Sequence, residues 1–238
     1  MVAVVVLAML ASFLVSVWLP VAGVVIAGLY AWDLFRSLKK TEHEGSALAS
    51  AMLARFIVGG TTQDRQRLVT VLDRLAATFG VDGVSAFIIE DLVYNAALVP
   101  DGDRYSLFVT SALMGDLELI ELEGVIAHCL ARQRLGLLTR ESLACVAPAS
   151  DVTRRALVGT GTAYRADEVA AAAIRYPLGL AGALHKCARQ VPAPGSFFSS
   201  ADYASWRWIW FDRWSDRPGT DLSDLDDVEL RALALEEW

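Results

Sequence analysis

The longest apolar stretch of the chain lies at its N-terminus, where no charged residue occurs between Val2 and Trp32. A transmembrane helix needs roughly 20 consecutive apolar residues, so this run is long enough to cross a bilayer. No basic residue precedes the run and no small-residue cleavage site follows it, which disfavours a removable signal peptide. The pattern therefore predicts that residues 1–36 form a transmembrane anchor.

Pro20 interrupts this run and leaves two geometries open. Either two short helices form a hairpin that turns near Pro20, or one tilted helix is kinked there. The hairpin is favoured, because an unbroken helix of about 34 residues would span about 50 Å and exceed the roughly 30 Å hydrocarbon core. Arg36, Lys39 and Lys40 follow the run directly, and basic flanks stay on the cytoplasmic side. The expected location is the cell membrane, with a cytoplasmic globular domain.

Past the anchor, residues 37–60 read as a linker with one short helix that a pair of glycines ends. Residues 61–238 would form the globular domain. Apolar residues recur there at helical spacing in 61–80, 117–135 and 153–189. Between the first two of these stretches lie three strand-like runs, VSAFIIE, LVYNAALV and YSLFVTS. The pattern predicts an α+β domain that is mainly helical with a small, mostly antiparallel sheet.

Charge and cysteine content narrow the function classes. The net charge is −7, largely through an acidic C-terminal segment, and the sequence contains no basic stripe. Nucleic acid is therefore not an expected partner. The 3 cysteines, at positions 129, 145 and 187, form a sparse and odd-numbered set that fits a reducing compartment better than a disulfide framework.

The stretch GVIAHCLARQRLG, residues 124–136, has the rhythm of the H-E-x-x-H helix of zinc peptidases. In that motif two histidines on one helix face bind Zn²⁺, and the glutamate after the first histidine activates water. Here His128 fills the first histidine position, Cys129 the glutamate position and Arg132 the second histidine position. One ligand of the motif is kept, and the general base is lost.

The wider sequence resembles a known family. The segment NAALVPDGDRYSLFVTSALMGDLELIELEGVIAHCLARQR looks like the N-A-F-A, V-T-S-G-L-L and D-E-L-x-A-V-L-A-H-E-L-A-H block of the HtpX and CAAX-prenyl-protease type of membrane zinc metallopeptidase. Downstream, GTAYRADEVAAAAIRYPLGLAGALHK is similar to the E-Y-x-A-D segment of that family. The resemblance implies a zincin-like metallopeptidase domain behind the anchor. It also implies that Asp167 matches the aspartate that orients a ligand, and that Ala163 stands where the family has its third ligand, a glutamate.

These substitutions predict a site without catalytic residues and without a cofactor, zinc being the ancestral metal that has been lost. A guanidinium cannot coordinate zinc but could replace its charge, so we predict an ion pair of Arg132 with Asp167 or a nearby carboxylate. The favoured interpretation makes His128 a hydrogen-bonded core remnant and Cys129 a small buried hydrophobe. A different metal site stays open as an alternative, drawn from His128, Cys129, Asp167, Cys145, Cys187 and His185.

Four tryptophans crowd the segment SWRWIWFDRW, namely Trp206, Trp208, Trp210 and Trp214. The alternate spacing of the first three is typical of an extended segment with one aromatic face. Packing in the core is the favoured interpretation. An aromatic patch at the membrane interface and a surface for a partner are the alternatives.

The leading hypothesis is a catalytically inactive, membrane-anchored metallopeptidase homologue that acts as a regulatory or scaffold binding protein. By analogy with the order of the family, the edge strand that would capture a peptide comprises Tyr105, Ser106, Leu107, Phe108 and Val109. The expected partners are the lipid bilayer and a membrane protein or peptide. Two alternatives stay open: an active zinc metalloendopeptidase with an unusual ligand set, and a structural accessory subunit of a membrane protein complex.

Overall fold

The computed structural model describes residues 24–191, 193–213 and 227–238, except residues 27, 30, 34, 37, 38 and 42. The chain divides into two compact units, Met1–His43 and Glu44–Trp238. In the first unit the described residues are helical. Residues 124–136, the stretch that resembles a zinc-peptidase motif, lie in the second unit.

The predicted transmembrane anchor over residues 1–36 is contradicted, because no helix among the described residues is both long and apolar enough to cross a membrane. The helical positions that follow Trp32 carry charged side chains, namely Asp33, Arg36, Lys39 and Lys40. A membrane span accommodates few such groups. Pro20, and with it the choice between a hairpin and a kinked helix, lies outside the described residues.

The second unit has two helices before the sheet with described bounds, α1, Leu48–Arg55, and α2, Thr62–Phe79. Helix α2 begins at a capping box, in which the Thr61 side chain accepts from the Asp64 backbone N–H and the Asp64 carboxylate accepts from the Thr61 backbone N–H. The helix ends at Gly80, whose φ of 66° is a left-handed conformation that glycine adopts without strain. The helix predicted over 61–80 is confirmed.

The sheet has three strands, β1 Val84–Ile89, β2 Ala96–Asp101 and β3 Arg104–Thr110, in the order β1-β3-β2. β2 and β3 form an antiparallel hairpin, and β3 runs parallel to β1 with Tyr105 opposite Val84. The prediction of a mostly antiparallel sheet is therefore wrong, since one of the two pairings is parallel. The physical reason is that β3 inserts between the two earlier strands, and the alternation of residues within a strand does not encode its neighbours.

The other described secondary-structure elements of the second unit are helices, which makes its architecture α+β with a small sheet. The helices after the sheet are α3 Ser111–Asp116, α4 Leu119–Arg134, α5 Leu138–Val146, α6 Asp151–Val158, α7 Thr162–Ile174, α8 Pro177–Ala188, α9 Tyr203–Trp206 and α10 Val228–Glu236. Two single 3-10 turns lie at Phe197–Ser199 and Arg207–Ile209.

Alternate residues of the sheet pack into two cores on its opposite faces. Leu98 and Leu107 belong to one core together with α2, α4, α7 and α8. Val99 and Phe108 belong to the other, together with α1 and Trp210. Because α4 packs against α2, α7 and α8, it is the central helix of the larger core.

Helices α4 and α8 approach each other closely at Gly124. A Cβ added there would lie 2.8 Å from the Leu180 Cα, closer than real Cβ atoms come to backbone. Glycine at this position therefore allows the backbones to touch, which fixes α4 tightly against α8.

Candidate functional site

Helix α4 contains most of the motif-like stretch and places it in the core of the second unit. The helix begins after Glu118, whose backbone N–H donates to the Glu121 carboxylate over 2.7 Å. Anionic side chains at this end are favourable, because the N-terminus of a helix carries a partial positive charge. Every residue from 124 to 132 is buried. His128 and Arg132 are therefore polar groups inside the core, and each needs a partner there.

His128 is held by Asp167 of α7. Its Nδ1 lies 2.6 Å from Asp167 Oδ1, and the residue is 1% exposed. Burial lowers the pKa of His128 to about 4, against the raising effect of Asp167, so the ring is neutral at pH 7. Because a carboxylate only accepts, the ring proton lies on Nδ1 and Nε2 keeps its lone pair. This is the arrangement in which an aspartate orients a histidine ligand.

A guanidinium from α10, that of Arg231, binds the same aspartate. Its Nε and Nη2 donate to the two Asp167 oxygens over 2.6 and 2.9 Å, and Nη2 lies 3.4 Å from His128 Nδ1. Both nitrogens of this last contact carry protons, so it is a packing contact and not a hydrogen bond. Burial alone would raise the pKa of Asp167, but Arg231 and His128 outweigh it and keep that pKa below its usual range. Asp167 is thus a carboxylate neutralised by a bidentate Arg231.

Arg231 was missed at the level of sequence, although a signal for it exists. Buried positions of α10 recur at helical spacing, at Arg231, Ala232 and Leu235. An arginine on the apolar stripe of a short helix predicts a buried partner, because an unpaired charge in the core is costly. The spacing does not indicate which carboxylate that partner is.

Arg132 meets a carboxylate, but that of Glu141 and not that of Asp167. Its Nε and Nη2 donate to Glu141 Oε2 over 3.0 and 2.5 Å, and both side chains are buried. Arg213 binds the other oxygen, with its Nη2 2.5 Å from Oε1. Of the two predicted partners of Arg132, Asp167 or a nearby carboxylate, Asp167 is therefore wrong, and the nearby carboxylate is that of Glu141. Arg132 lies one helical turn beyond His128, where α5 brings Glu141 close, and α10 already supplies the cation for Asp167.

Both arginines also bind the backbone of one segment, residues 209–212, which we call the cover segment. Arg132 Nη1 donates to the Ile209 carbonyl over 2.7 Å. Arg231 Nη1 donates to the Phe211 carbonyl over 2.9 Å. The two guanidinium groups thus join two buried carboxylates to the same stretch of backbone.

The cover segment also closes the outer edge of β2. The Phe211 N–H donates to the Ala96 carbonyl over 2.7 Å. The Asn95 side chain extends this pairing, because its Nδ2 donates to the Asp212 carbonyl over 2.9 Å and its Oδ1 accepts from the Asp212 N–H over 3.0 Å. The sheet edge beside α4 is therefore occupied by the chain itself.

The side chains at the matched motif positions do not fit zinc. Burial raises the pKa of the Cys129 thiol to about 11, so the thiol keeps its proton at pH 7. Arg132 has no lone pair to donate. Ala163 lies one turn before Asp167 on α7 and has no donor atom in its side chain. Among the matched positions, His128 is left as the conventional ligand.

The other side chains considered as metal ligands have partners elsewhere. Cys187 donates to the Tyr94 carbonyl, and His185 Nε2 lies 2.8 Å from Glu236 Oε1. Burial raises the pKa of Cys145 to about 12. In the part of the chain that the structure describes, no group of three or more His, Cys, Asp or Glu is placed to hold a metal ion.

The strand predicted to capture a peptide is not an edge. β3, which contains Tyr105, Ser106, Leu107, Phe108 and Val109, lies between β1 and β2 and pairs with both. The prediction is wrong because the spatial order of the strands differs from their order in the chain. An incoming peptide has no free side of β3 to pair with.

Two of the clustered tryptophans pack in the core. Trp208 and Trp210 are 5% and 1% exposed, and the Trp210 ring meets the Phe198 ring edge-on with centroids 4.8 Å apart. Trp206 ends helix α9 and is half-buried. Trp214 lies outside the described residues. The segment is thus partly helical, not an extended strand with one aromatic face.

Comparison with models of known protein families gives no match for this chain, and a search of curated proteins gives none either. The likeness to the HtpX and CAAX-prenyl-protease type of metallopeptidase therefore rests on the quoted motifs and stays a prediction.

Proposed function

We propose that this chain is a catalytically inactive relative of the HtpX and CAAX-prenyl-protease type of metallopeptidase that acts as a regulatory or scaffold protein by binding another polypeptide. The observation that carries the proposal is the Arg231 guanidinium, bonded to both oxygens of Asp167 and packed against the His128 ring. In a zincin the metal supplies positive charge beside the ligand histidine and an open position for water. A guanidinium supplies the charge without the open position.

Hydrolysis also needs a group that takes a proton from water, and the motif positions offer none. The Cys129 thiol, with its pKa of about 11, already holds its proton at pH 7. The Glu141 carboxylate is engaged on both oxygens, by Arg132 and Arg213. The arrangement supports a domain stabilised by buried ion pairs and not one that turns over a substrate.

The proposal is tested by the metal content of the purified full-length chain, measured by elemental mass spectrometry. We expect no stoichiometric zinc, and no change on His128→Ala. His185→Ala is the matched control, because His185 is partly exposed and lies outside the motif. Near-stoichiometric zinc that disappears with His128→Ala alone would overturn the proposal and favour the active metalloendopeptidase.

The relation to the family has a separate test, in which the ligands are restored. Arg132→His and Ala163→Glu supply the missing donors, and Arg231→Leu removes the competing cation. We expect this triple variant to bind zinc, and the same variant with His128→Ala not to bind it. A triple variant that folds, as judged by circular dichroism, yet takes up no zinc would contradict the family relation.

A second candidate function, a structural subunit of a larger assembly, is favoured by one observation. The cover segment pairs with the start of β2 and accepts a hydrogen bond from each of the two arginines, so residues of this chain occupy these positions. A subunit of this kind depends on its assembly for stability. An isolated chain that aggregates, and is rescued by a co-purified partner, would favour this role over regulated binding.

A further inference from the structure

The two outer edges of the sheet are protected to different extents. An edge strand presents rows of backbone N–H and C=O groups to which another chain can add, and native proteins block such edges with a cover, a proline or charge. β2 has two of these devices, the cover segment and Pro100. β1 has the sequence VSAFII, with neither proline nor charge.

β1 is covered at its C-terminal end by a short piece of the chain that precedes α2. The Gly59 N–H donates to the Ile88 carbonyl over 2.8 Å, and the Glu90 N–H donates to the Ile57 carbonyl over 2.9 Å. The pairing is antiparallel. Gly60, with a φ of 81°, then turns the chain away into α2. The pairing of residues 57–59 with β1 therefore ends opposite Ile88.

The hydrogen bonds show which backbone groups of β1 face outward. The Tyr105 N–H of β3 donates to the Gly83 carbonyl over 3.1 Å, so odd-numbered residues point their backbone groups toward β3. Ile88 and Glu90, which bond to the outer cover, are even-numbered. The backbone groups of β1 thus alternate in direction with a period of two residues.

Val84 and Ala86 are the even-numbered residues beyond the cover. Their N–H and C=O groups point away from β3 and, among the residues that the structure describes, have no hydrogen-bond partner on the outer side. Both residues are half-buried and Ser85 between them is exposed, so another chain can reach this edge. Residues 84–87 therefore leave the outer side of β1 unpaired, whereas the rest of the outer edges is protected.

We propose that the edge formed by residues 84–87 of β1 binds an extended peptide segment of another protein by antiparallel strand addition. The inference rests on the proposed binding role and names the surface that performs it. Outward N–H and C=O groups at strand spacing are matched by another extended backbone. The antiparallel direction continues the ladder that the residues before α2 begin at Ile88 and Glu90.

Charge favours a foreign segment with basic ends over a second copy of this chain. The exposed carboxylates of Asp82 and Glu90 flank β1 at its two ends. Each copy carries a net charge of −7, so two copies repel each other. The half-buried Phe87 beside the edge favours apolar side chains in the middle of the segment.

The test is a titration of the ¹⁵N-labelled full-length chain with a short synthetic peptide of alternating valine and threonine, with lysine at each end and both termini blocked. We expect saturable shifts of the Val84 and Ala86 amide signals, with smaller shifts at Ser85, whose N–H faces β3. Only a few backbone hydrogen bonds form, and each replaces a hydrogen bond to water, so the expected Kd is about 0.1 to 1 mM. The same peptide N-methylated at every backbone amide should produce no shifts.

Two variants sharpen the assignment. Ala86→Pro removes an outward N–H without removing a bond to β3, and should weaken binding at least about tenfold. Ser85→Ala is the matched control and should bind as the unchanged chain does. Should Ala86→Pro fail to fold, the N-methylated peptide on the unchanged chain supplies the same comparison.

Three results would overturn the proposal. The Val84 and Ala86 signals could fail to respond up to the solubility of the peptide. The methylated peptide could act like its parent. The chain could instead self-associate, with protection of these two amides, which would make a second copy the occupant. Cleavage of the bound peptide would instead refute the non-catalytic function and leave the edge assignment standing.

Discussion

Arg132 and Arg231 occupy comparable environments but come from different parts of the chain. Each guanidinium is buried, binds one buried carboxylate, and donates to one carbonyl of the cover segment. Arg132 stands on α4, where the resemblance places a zinc ligand. Arg231 comes from α10, about a hundred residues further along the chain. The cation beside His128 and Asp167 is therefore not Arg132, at the position that the resemblance assigns to a ligand, but a residue distant in the sequence.

The carboxylates that these arginines bind also differ in how many guanidinium groups they accept from. Glu141 lies between Arg132 and Arg213, so one carboxylate serves two guanidinium groups. Asp167 serves Arg231 alone, because the His128 ring beside it is neutral at pH 7. Removing the charge of Glu141 therefore affects two guanidinium groups, and removing that of Asp167 affects one. Loss of the shared carboxylate should therefore be the more damaging change.

Glu141→Gln tests that difference and has the largest expected effect. It keeps the shape of the side chain but removes the negative charge that the guanidinium groups of Arg132 and Arg213 share, so we expect the free energy of unfolding to fall by about 4 kcal/mol. Urea unfolding followed by tryptophan fluorescence measures the change. Glu168→Gln, on an exposed carboxylate of α7, is the matched control and should change little. A loss below that of Arg231→Met would contradict the expectation that the shared carboxylate contributes more to stability than the one bound by a single arginine.

Arg231→Met removes the cation that binds Asp167. Asp167 then keeps its contact with His128 but loses its bidentate partner, and we expect a loss of about 3 kcal/mol in the free energy of unfolding. Its carboxyl pKa should rise, because Arg231 is the main cause of its low value. Urea unfolding at pH 7 measures the first effect.

The double variant Arg231→Met with Asp167→Leu separates pairing from packing. Buried ion pairs replaced by apolar groups of similar size are often neutral or stabilising, so part of the loss should be recovered. If the double variant is as unstable as the sum of its two single variants, Arg231 contributes through its carbonyl contact and packing, and not through Asp167.

Acid should weaken the group around His128. The folded pKa of His128 is about 4, against an ordinary value of 6.5, so between these values the unfolded chain binds the additional proton. This contribution to stability is complete above pH 6.5 and is lost as the pH falls toward 4. At pH 5 the expected loss is about 2 kcal/mol. The lowered pKa of Asp167 acts in the same direction, at pH values below 3.8.

Urea unfolding at pH 7 and at pH 5 measures this loss, with His128→Gln as the comparison. Glutamine can still donate to Asp167 but does not titrate, so the variant should lose less stability between the two pH values, by about 2 kcal/mol. An equal loss in both proteins would mean that His128 titrates normally, and hence that it is less buried than the contacts with Asp167 imply.

The sequence predicts the local parts of this arrangement and not the long-range ones. Helical periodicity and the capping residues locate α2, and the spacing of the motif puts His128 and Arg132 on one buried helix. The sequence leaves the partner of Arg132 open between Asp167 and a nearby carboxylate, because the choice between Glu141 and Asp167 depends on how α5 and α10 pack on α4. The position of β3 between its neighbours and the cover on β2 are likewise pairings between distant segments, which alternation along a strand does not record.

An exposed ion pair should contribute least to the free energy of unfolding, so its removal has the smallest expected effect. Arg55 Nη2 lies 3.3 Å from Asp202 Oδ2, but the two side chains are 52% and 68% exposed. Water already solvates both charges, so Asp202→Asn should change the free energy of unfolding by about 0.5 kcal/mol or less. Added salt should reduce even this difference. If Asp202→Asn destabilised the chain as much as Arg231→Met does, burial would not explain the contribution of the internal arginines to stability. That contribution would then come from the geometry of the ion pair alone.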